Sequence, residues 1–293
     1  MCRFVAYIGT PILVDELLIK PENSLVNQSY DAEEMSQPLN GDGFGLGWYN
    51  RQIRAYPGLF RSITPAWNNQ NLLYNASLIK TDCLFAHIRA ASEGVVAEQN
   101  CHPFHFEDFL MMHNGGIPDF GKIKRQLIDQ LEEDIFLWIS GQTDTEHIFA
   151  LLMQVVRNLR KETGRPLNDE DLAACFQETF DRIEALKKAR GIQELSAYNM
   201  MVTNGRRIIG TRYSTDPENV TPTLYYASGA RYECRNGESR MITNGHPGEK
   251  AVLIVSEKLT RREEDWHPIP PNHFISVDEK LSVRLIPMEP RLF

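Results

Sequence analysis

The sequence predicts an α+β protein in which two sheets carry helices on their outer faces. Three observations support this. Short apolar segments of strand composition fill the chain up to His113 and return after Gly191. The stretch between them, 119–190, has apolar residues at spacings near 3.6 and reads as helical. No repeat, low-complexity tract or break in composition divides the 293 residues. They are therefore expected to form one domain spanning 1–293, with 259–293 as a C-terminal extension. Strands, then helices, then strands is the order of a layered α+β architecture.

In chain order, RFVAYIG (3–9) reads as a strand that starts beside Cys2. A sheet holds a terminal residue that would otherwise fray. Residues 12–19 allow a short helix or turn. NGDGFGLGWYN (40–50) carries glycines at 41, 43, 45 and 47. Alternating glycine in a strand marks the close approach of another group to the backbone. CLFAHIR (83–89) and DFLMMH (108–113) are apolar strands that end on polar residues. The helical spans are 119–134, 143–164 and 169–190, with Ile148, Leu151, Leu152, Val155 and Val156 forming one apolar face. Thr143 or Asp144 can cap the second helix, and Asn168 or Asp169 the third. Strands follow at 197–204, 206–213, 222–228, 250–256, 273–277 and 282–287. Asn204-Gly205, between the first two of these, reads as a tight hairpin turn.

Composition narrows the function classes. Hydrophobic residues make up 42% and charged residues 24%, which is ordinary for a folded globular chain. The net charge of −8, without a basic stripe, argues against nucleic acid and against an anionic membrane surface as partner. No apolar run approaches the roughly 20 residues that span a bilayer. The N-terminus lacks the basic region and small-residue cleavage site of a secretory signal. Cysteines at 2, 83, 101, 175 and 234 are odd in number and lack CxxC spacing. They read as free thiols in a reducing compartment, neither a disulfide frame nor a zinc site. The expected location is cytoplasmic.

Four short constellations carry chemistry. Initiator Met is commonly removed before a small residue, so Cys2 is expected to become the mature N-terminus. A single residue would then hold a thiol nucleophile and a free α-amine able to serve as its base. Ordinary pKa values of about 8.5 for the thiol and 7.7–8.0 for the amine suit that exchange near neutral pH. AHIRAAS (86–92) ends an apolar strand with Arg89, a residue type that clamps carboxylates in bidentate fashion, and Ser92, a short donor. HNGG (113–116) offers backbone N–H groups and the Asn114 amide, the parts of an oxyanion hole. GQTDTE (141–146) opens a helix with Asp144, whose carboxylate either caps the helix or accepts an ammonium. Each constellation alone has a plainer reading: a strand-edge cysteine, a surface arginine, an Asn-Gly turn, a helix cap. Together they suit a ligand with an α-carboxylate, an α-ammonium and an attackable side-chain carbonyl, such as glutamine or a γ-glutamyl amide.

The ordered segments MCRFVAYIG, NGDGFGLGWY, AHIRAAS, NQNCHPF, MMHNGGI and GQTDTE resemble the class II (N-terminal-nucleophile) glutamine amidotransferases. They are most similar to the stand-alone EgtC/YafJ-like branch, which includes γ-glutamyl hydrolases of ergothioneine synthesis and amidotransferase-like subunits of glutathione-degrading complexes. SLVNQSYDAEE (24–34) and VSEKL with WHPIPPN (255–272) resemble further features of that branch. The resemblance spans residues 2–275. It implies a four-layer αββα sandwich of the N-terminal-nucleophile hydrolase type. It also implies Cys2 as nucleophile, Asn114 and Gly115 as the oxyanion hole, and Arg89, Ser92 and Asp144 as substrate-binding residues. No metal or organic cofactor is implied, and His102, in the NCHPF block, is assigned a structural role.

The activity so implied is cleavage of a γ-glutamyl amide bond through a Cys2 thioester, releasing glutamate. Two other readings stay open: a subunit that delivers ammonia to, or acts within a complex with, a separate partner enzyme, and a non-catalytic γ-glutamyl or amino-acid binder. Ala90 and Glu93 replace the Trp and the His or other polar residue that many biosynthetic members carry after the clamp Arg and after the position of Ser92. Glutamine, glutathione and an ergothioneine-pathway intermediate therefore all remain candidate substrates, and a homodimer or a separate subunit is equally open. Loops 61–76 and 230–248 are the expected seat of specificity.

Overall fold

The computed structural model describes residues 2–34, 39–90, 94–216, 222–235 and 237–288. The first part of the chain contributes β1 (Arg3–Leu13), α1 (Asp15–Leu18), α2 (Leu25–Gln28), β2 (Phe44–Trp48), β3 (Gly58–Ser62), α3 (Gln70–Ala76) and β4 (Lys80–Ile88). Then come β5 (Phe104–Phe106), β6 (Phe109–Gly116), α4 (Phe120–Ile128), α5 (Glu133–Trp138), α6 (Asp144–Thr163) and α7 (Asp169–Ala189). The remainder is β7 (Ala197–Thr203), β8 (Ile208–Ser214), β9 (Tyr225–Gly229), β10 (Arg231–Arg235), β11 (Glu238–Ile242) and β12 (Ala251–Val255). It ends with β13 (His267–Pro268), β14 (His273–Val277) and β15 (Val283–Pro287).

Among the described residues two large antiparallel sheets result, beside the two-stranded β10-β11 sheet. One has seven strands in the order β13-β9-β12-β1-β4-β2-β3, the other six in the order β15-β14-β8-β7-β6-β5. Side chains alternate across each strand, and the buried residues sort accordingly into three cores. Phe4, Ala6 and Phe85 of the first sheet meet Leu110, Met112 and Met201 of the second between the sheets. On the outer face of the first sheet, Val5, Tyr7 and Leu84 pack with Leu17, Leu25 and Leu72 of the short helices α1 to α3. On the outer face of the second sheet, Met111, Tyr198 and Met200 pack with Ile148, Leu152, Phe176 and Phe180 of α6 and α7. Helices, sheet, sheet, helices is the expected αββα sandwich.

Three local outcomes differ from the sequence reading. The helix expected at 119–134 is two, because α6 grips the turn between them. Gln154 accepts the Glu132 N–H at 2.7 Å, and Arg157 and Lys161 pair with the Glu132 carboxylate at 3.0 and 2.8 Å. The 61–76 stretch is not a loop: it holds the end of β3 and all of α3. The 230–248 stretch is mostly the β10–β11 hairpin, and it lies at the wrong end of β1 to touch Cys2. Its neighbour on β1 is Thr10, whose hydroxyl reaches the Ala230 carbonyl. Eight residues of strand separate Thr10 from Cys2, roughly 26 Å.

The glycine-rich strand meets its expectation. A Cβ on Gly45 would overlap the His102 carbonyl oxygen, and one on Gly47 would stand 2.7 Å from Leu110 and 2.9 Å from Pro103. Glycine therefore lets the 102–103 segment lie flat against β2. The Asn204-Gly205 turn also forms. Gly205 has φ +77° there, and the Tyr49 ring covers its Cα.

Candidate active site

The register of β1 on β4 pairs Arg3 with Ile88 and so sets Cys2 across from Arg89. Cys2 lies on the same strand face as Phe4 and Ala6, the face that looks toward the second sheet. The Ala90 N–H donates to the Cys2 sulfur at 3.4 Å, and the thiol reaches the Ala90 carbonyl at 3.5 Å. Burial pushes the thiol pKa up, while the Ala90 hydrogen bond and the Arg89 guanidinium pull it back. Such a thiol stays protonated near neutral pH and needs a base at hand to react. Met1 lies outside the described residues.

Arg89 is buried, with one guanidinium nitrogen donating to the Val95 carbonyl at 3.2 Å. Its backbone is fixed by the Gly43 carbonyl at 2.8 Å and the Asp42 N–H at 3.1 Å. The glycine-rich segment and the Arg89 backbone thus brace each other. Ser92, expected beside it, lies outside the described residues.

HNGG is not a turn after a strand; it is the last four residues of β6 itself, paired to β7 through Asn114↔Asn199 and Gly115↔Tyr198. Asn114 faces the first sheet, on the same side of β6 as Met112. It is buried, and neither its amide nitrogen nor its amide oxygen has a hydrogen-bond partner. A buried amide without a partner costs about 1–3 kcal/mol. Gly115 adopts φ +150°, and a Cβ there would overlap the Ala197 carbonyl oxygen. Only glycine fits that backbone.

Thr143 caps α6, accepting the Glu146 N–H at 3.3 Å, which leaves the Asp144 carboxylate for other use. One Asp144 oxygen accepts the Ile117 N–H at 2.7 Å and the other the Thr145 N–H at 2.7 Å. This fixes the carboxylate at the end of β6, 3.3 Å from where a Gly116 Cβ would sit. A carboxylate has about four lone-pair positions, so acceptor capacity remains. The loop before it is tied to the NQNCHPF block, because Asn100 accepts the Gln142 N–H at 2.9 Å and donates to Val95 at 2.8 Å.

The sequence reading passed over three groups here. His87 sits on β4 two residues before Arg89, fully buried; burial holds its pKa down at about 3, so the ring is neutral. Its Nε2 contacts the His113 carbonyl at 3.2 Å and His102 Nδ1 at 3.0 Å. His102 is itself buried and held neutral by that burial, which fits the structural role expected of it. Arg3 and Glu257 form a buried ion pair at 2.6 Å, and Arg3 also donates to the Cys2 carbonyl at 3.3 Å. A lone histidine in an apolar strand is a signal for the first group. The ion pair spans 254 positions and has none in the sequence. All five cysteines are free thiols. Among the described residues no cluster of three His, Cys, Asp or Glu could hold a metal, and no helix is long and apolar enough to cross a membrane.

A sandwich with a strand-borne thiol at the mouth of the gap between its sheets has the N-terminal-nucleophile hydrolase architecture. Solved structures agree at the level of fold. A glutamine aminotransferase class-II domain protein from Silicibacter pomeroyi superposes with TM-score 0.68 at 22% identity, over 99% of this chain and 100% of that one. The glutamine phosphoribosylpyrophosphate amidotransferase of B. subtilis does so with TM-score 0.61 at 13% identity, over 99% of this chain and 50% of the other. In sequence, the probable glutamine amidotransferase DUG3 of Saccharomyces cerevisiae is 34% identical, covering 98% of this chain and 84% of its own length. A γ-glutamyl-hercynylcysteine sulfoxide hydrolase of Mycobacterium tuberculosis is 31% identical over 39% of this chain and 49% of its own. The family model for class-II glutamine amidotransferases matches residues 24–286. The chain belongs to the class II glutamine amidotransferases.

Proposed function

We propose that the protein hydrolyses the γ-glutamyl amide bond of glutamine or a γ-glutamyl compound through a thioester on Cys2. The observation that carries this reading is the pairing across the gap. A thiol held by Ala90 beside Arg89 looks toward a strand whose Asn114 amide is buried without a partner. The names of the similar proteins, an amidotransferase and a γ-glutamyl compound hydrolase, point the same way.

Removal of Met1 frees the α-amine of Cys2. The amine takes the thiol proton as sulfur attacks the γ-carbonyl, and a carbon–sulfur bond forms. The oxyanion rests on the Asn114 amide and the Gly115 N–H. The C–N bond breaks, and the leaving amine departs with the proton returned by the α-amine. Water then attacks the thioester, releases glutamate and restores the thiol. Arg89 takes the α-carboxylate, a role the resemblance also extends to Ser92, and Asp144 takes the α-ammonium. These contacts hold the γ-carbonyl at the sulfur and make attack effectively intramolecular. The substrate is thus a small γ-glutamyl molecule. Cys2→Ala, assayed by glutamate release over a γ-glutamyl panel, is expected to be inactive; turnover at the wild-type rate would reject the mechanism.

A further inference from the structure

Around the oxyanion position the structure leaves three buried polar atoms without partners: both amide atoms of Asn114 and Nδ1 of His87. They face the same gap. His87 lies on the inner face of β4 with Phe85, and Asn114 on the inner face of β6 with Met112. His87 also bonds the carbonyl of His113, the residue next to Asn114, and the Asn114 side chain interacts with its ring closely enough to raise its pKa against the larger lowering by burial.

The tautomer of His87 follows from its contacts. A carbonyl oxygen only accepts, so the Nε2 that meets the His113 carbonyl at 3.2 Å carries the ring proton. His102 Nδ1, 3.0 Å from the same nitrogen, then accepts as well. Burial keeps the ring neutral, with its pKa near 3. Nδ1 is therefore unprotonated and, by ordinary geometry, without a hydrogen-bond partner.

We infer that His87 is a positioning residue for the oxyanion hole: its Nδ1 accepts one N–H of the Asn114 amide and turns the other N–H toward the developing oxyanion. This rests on the reading of Asn114 as an oxyanion donor. An unconstrained amide can flip and present its oxygen, which would repel an anion. A lone pair at Nδ1 repels that oxygen instead and selects the donating face. Among the described residues, Asn199 Oδ1, opposite Asn114 in register, is a further buried acceptor without a partner, and its Nδ2 is tied to the Pro222 carbonyl at 2.9 Å.

The test is a double-mutant cycle on glutamate release, with glutamine and a γ-glutamyl panel as substrates. His87→Gln keeps a polar group where Nε2 was and removes the Nδ1 acceptor; His87→Asn does the reverse. H87Q is expected to lower kcat about tenfold or more, within the ~10²–10³ that losing the donor itself costs, at unchanged KM. H87N recovers much of the loss. In an Asn114→Ala background, H87Q has no further effect on kcat. Equal losses in H87Q and H87N, or a full additional loss in the N114A background, would overturn the inference, and so would an unaffected kcat in H87Q, which would assign the role to Asn199. If N114A itself turns over normally, the oxyanion reading fails first, and the two failures are told apart. Nitrogen NMR of the wild-type protein gives an independent readout if H87Q does not fold. A glutamate γ-semialdehyde adduct on Cys2, which mimics the tetrahedral oxyanion, should move the His87 Nδ1 resonance toward a hydrogen-bonded position. An unmoved resonance would also overturn the inference.

Discussion

Replacing Asn114 by Ala separates function from stability. In the structure the Asn114 amide has no hydrogen bond of ordinary geometry, and its contact with the His87 ring is the interaction Ala would remove. It relieves a buried amide that costs about 1–3 kcal/mol and gives up some packing, and these terms nearly cancel. The activity term has no offset: losing one oxyanion donor lowers kcat by ~10²–10³, or about 2.7–4 kcal/mol of transition-state stabilisation. Asn100 provides the contrast. It is equally buried, but its amide makes bonds of 2.8 and 2.9 Å to Val95 and Gln142. Removing it costs roughly 2–4 kcal/mol in lost and stranded hydrogen bonds. At about 2–4 °C per kcal/mol for chains of this order of size, that is roughly 4–16 °C in Tm. Glutamate release and thermal melts of N114A and N100A, run side by side, give the answer. N114A should be nearly inactive with a Tm close to wild type, and N100A should melt several degrees lower. An N114A protein that turns over normally and melts like N100A would refute the reasoning.

Three further outcomes follow from the same structure. Glu257→Ala strands Arg3, which is buried beside Cys2, and is expected to cost about 3–5 kcal/mol in urea unfolding; a midpoint shift near zero would mean the pair does not hold β1. Gly115→Ala forces a Cβ into the Ala197 carbonyl at φ +150° and should abolish turnover; wild-type kcat would remove the backbone requirement. His87 and His147 are held neutral, with pKa values near 3 and 4, both through burial. Their folded-state pKa values lie below the unfolded value, so the unfolded chain binds the extra protons. Stability should therefore fall as pH drops from about 6.5 toward 4, by about 1.4 kcal/mol per pH unit for each histidine. A flat profile in denaturant titrations would contradict that burial.

Much of the architecture is legible because period-2 and period-3.6 patterns each bury one face. Residues 3–9 and 83–89 give β1 and β4, and the cap at Thr143 starts α6. The candidate site residues Cys2, Arg89 and the Asn114-Gly115 pair can be singled out in the sequence because the proposed chemistry calls for those residue types. Asp144 is the instructive case. As a helix-opening residue it looks like a cap, and only the Ile117 N–H bond reveals that it belongs to the β6 end. HNGG has turn composition, yet cross-strand pairing to β7 holds it extended. The β10–β11 hairpin and α3 escaped notice because polar residues interrupt their periodicity. Arg3–Glu257 joins opposite ends of the chain, and no local pattern encodes a partner that far away.

The central claim is a γ-glutamyl thioester on an N-terminal Cys2, and intact-mass spectrometry of acid-quenched turnover tests it most directly. The account predicts a chain lacking Met1, carrying one γ-glutamyl group that fragmentation places on Cys2, and no adduct in Cys2→Ala. An active chain that retains Met1, or an adduct on any other residue, would contradict it.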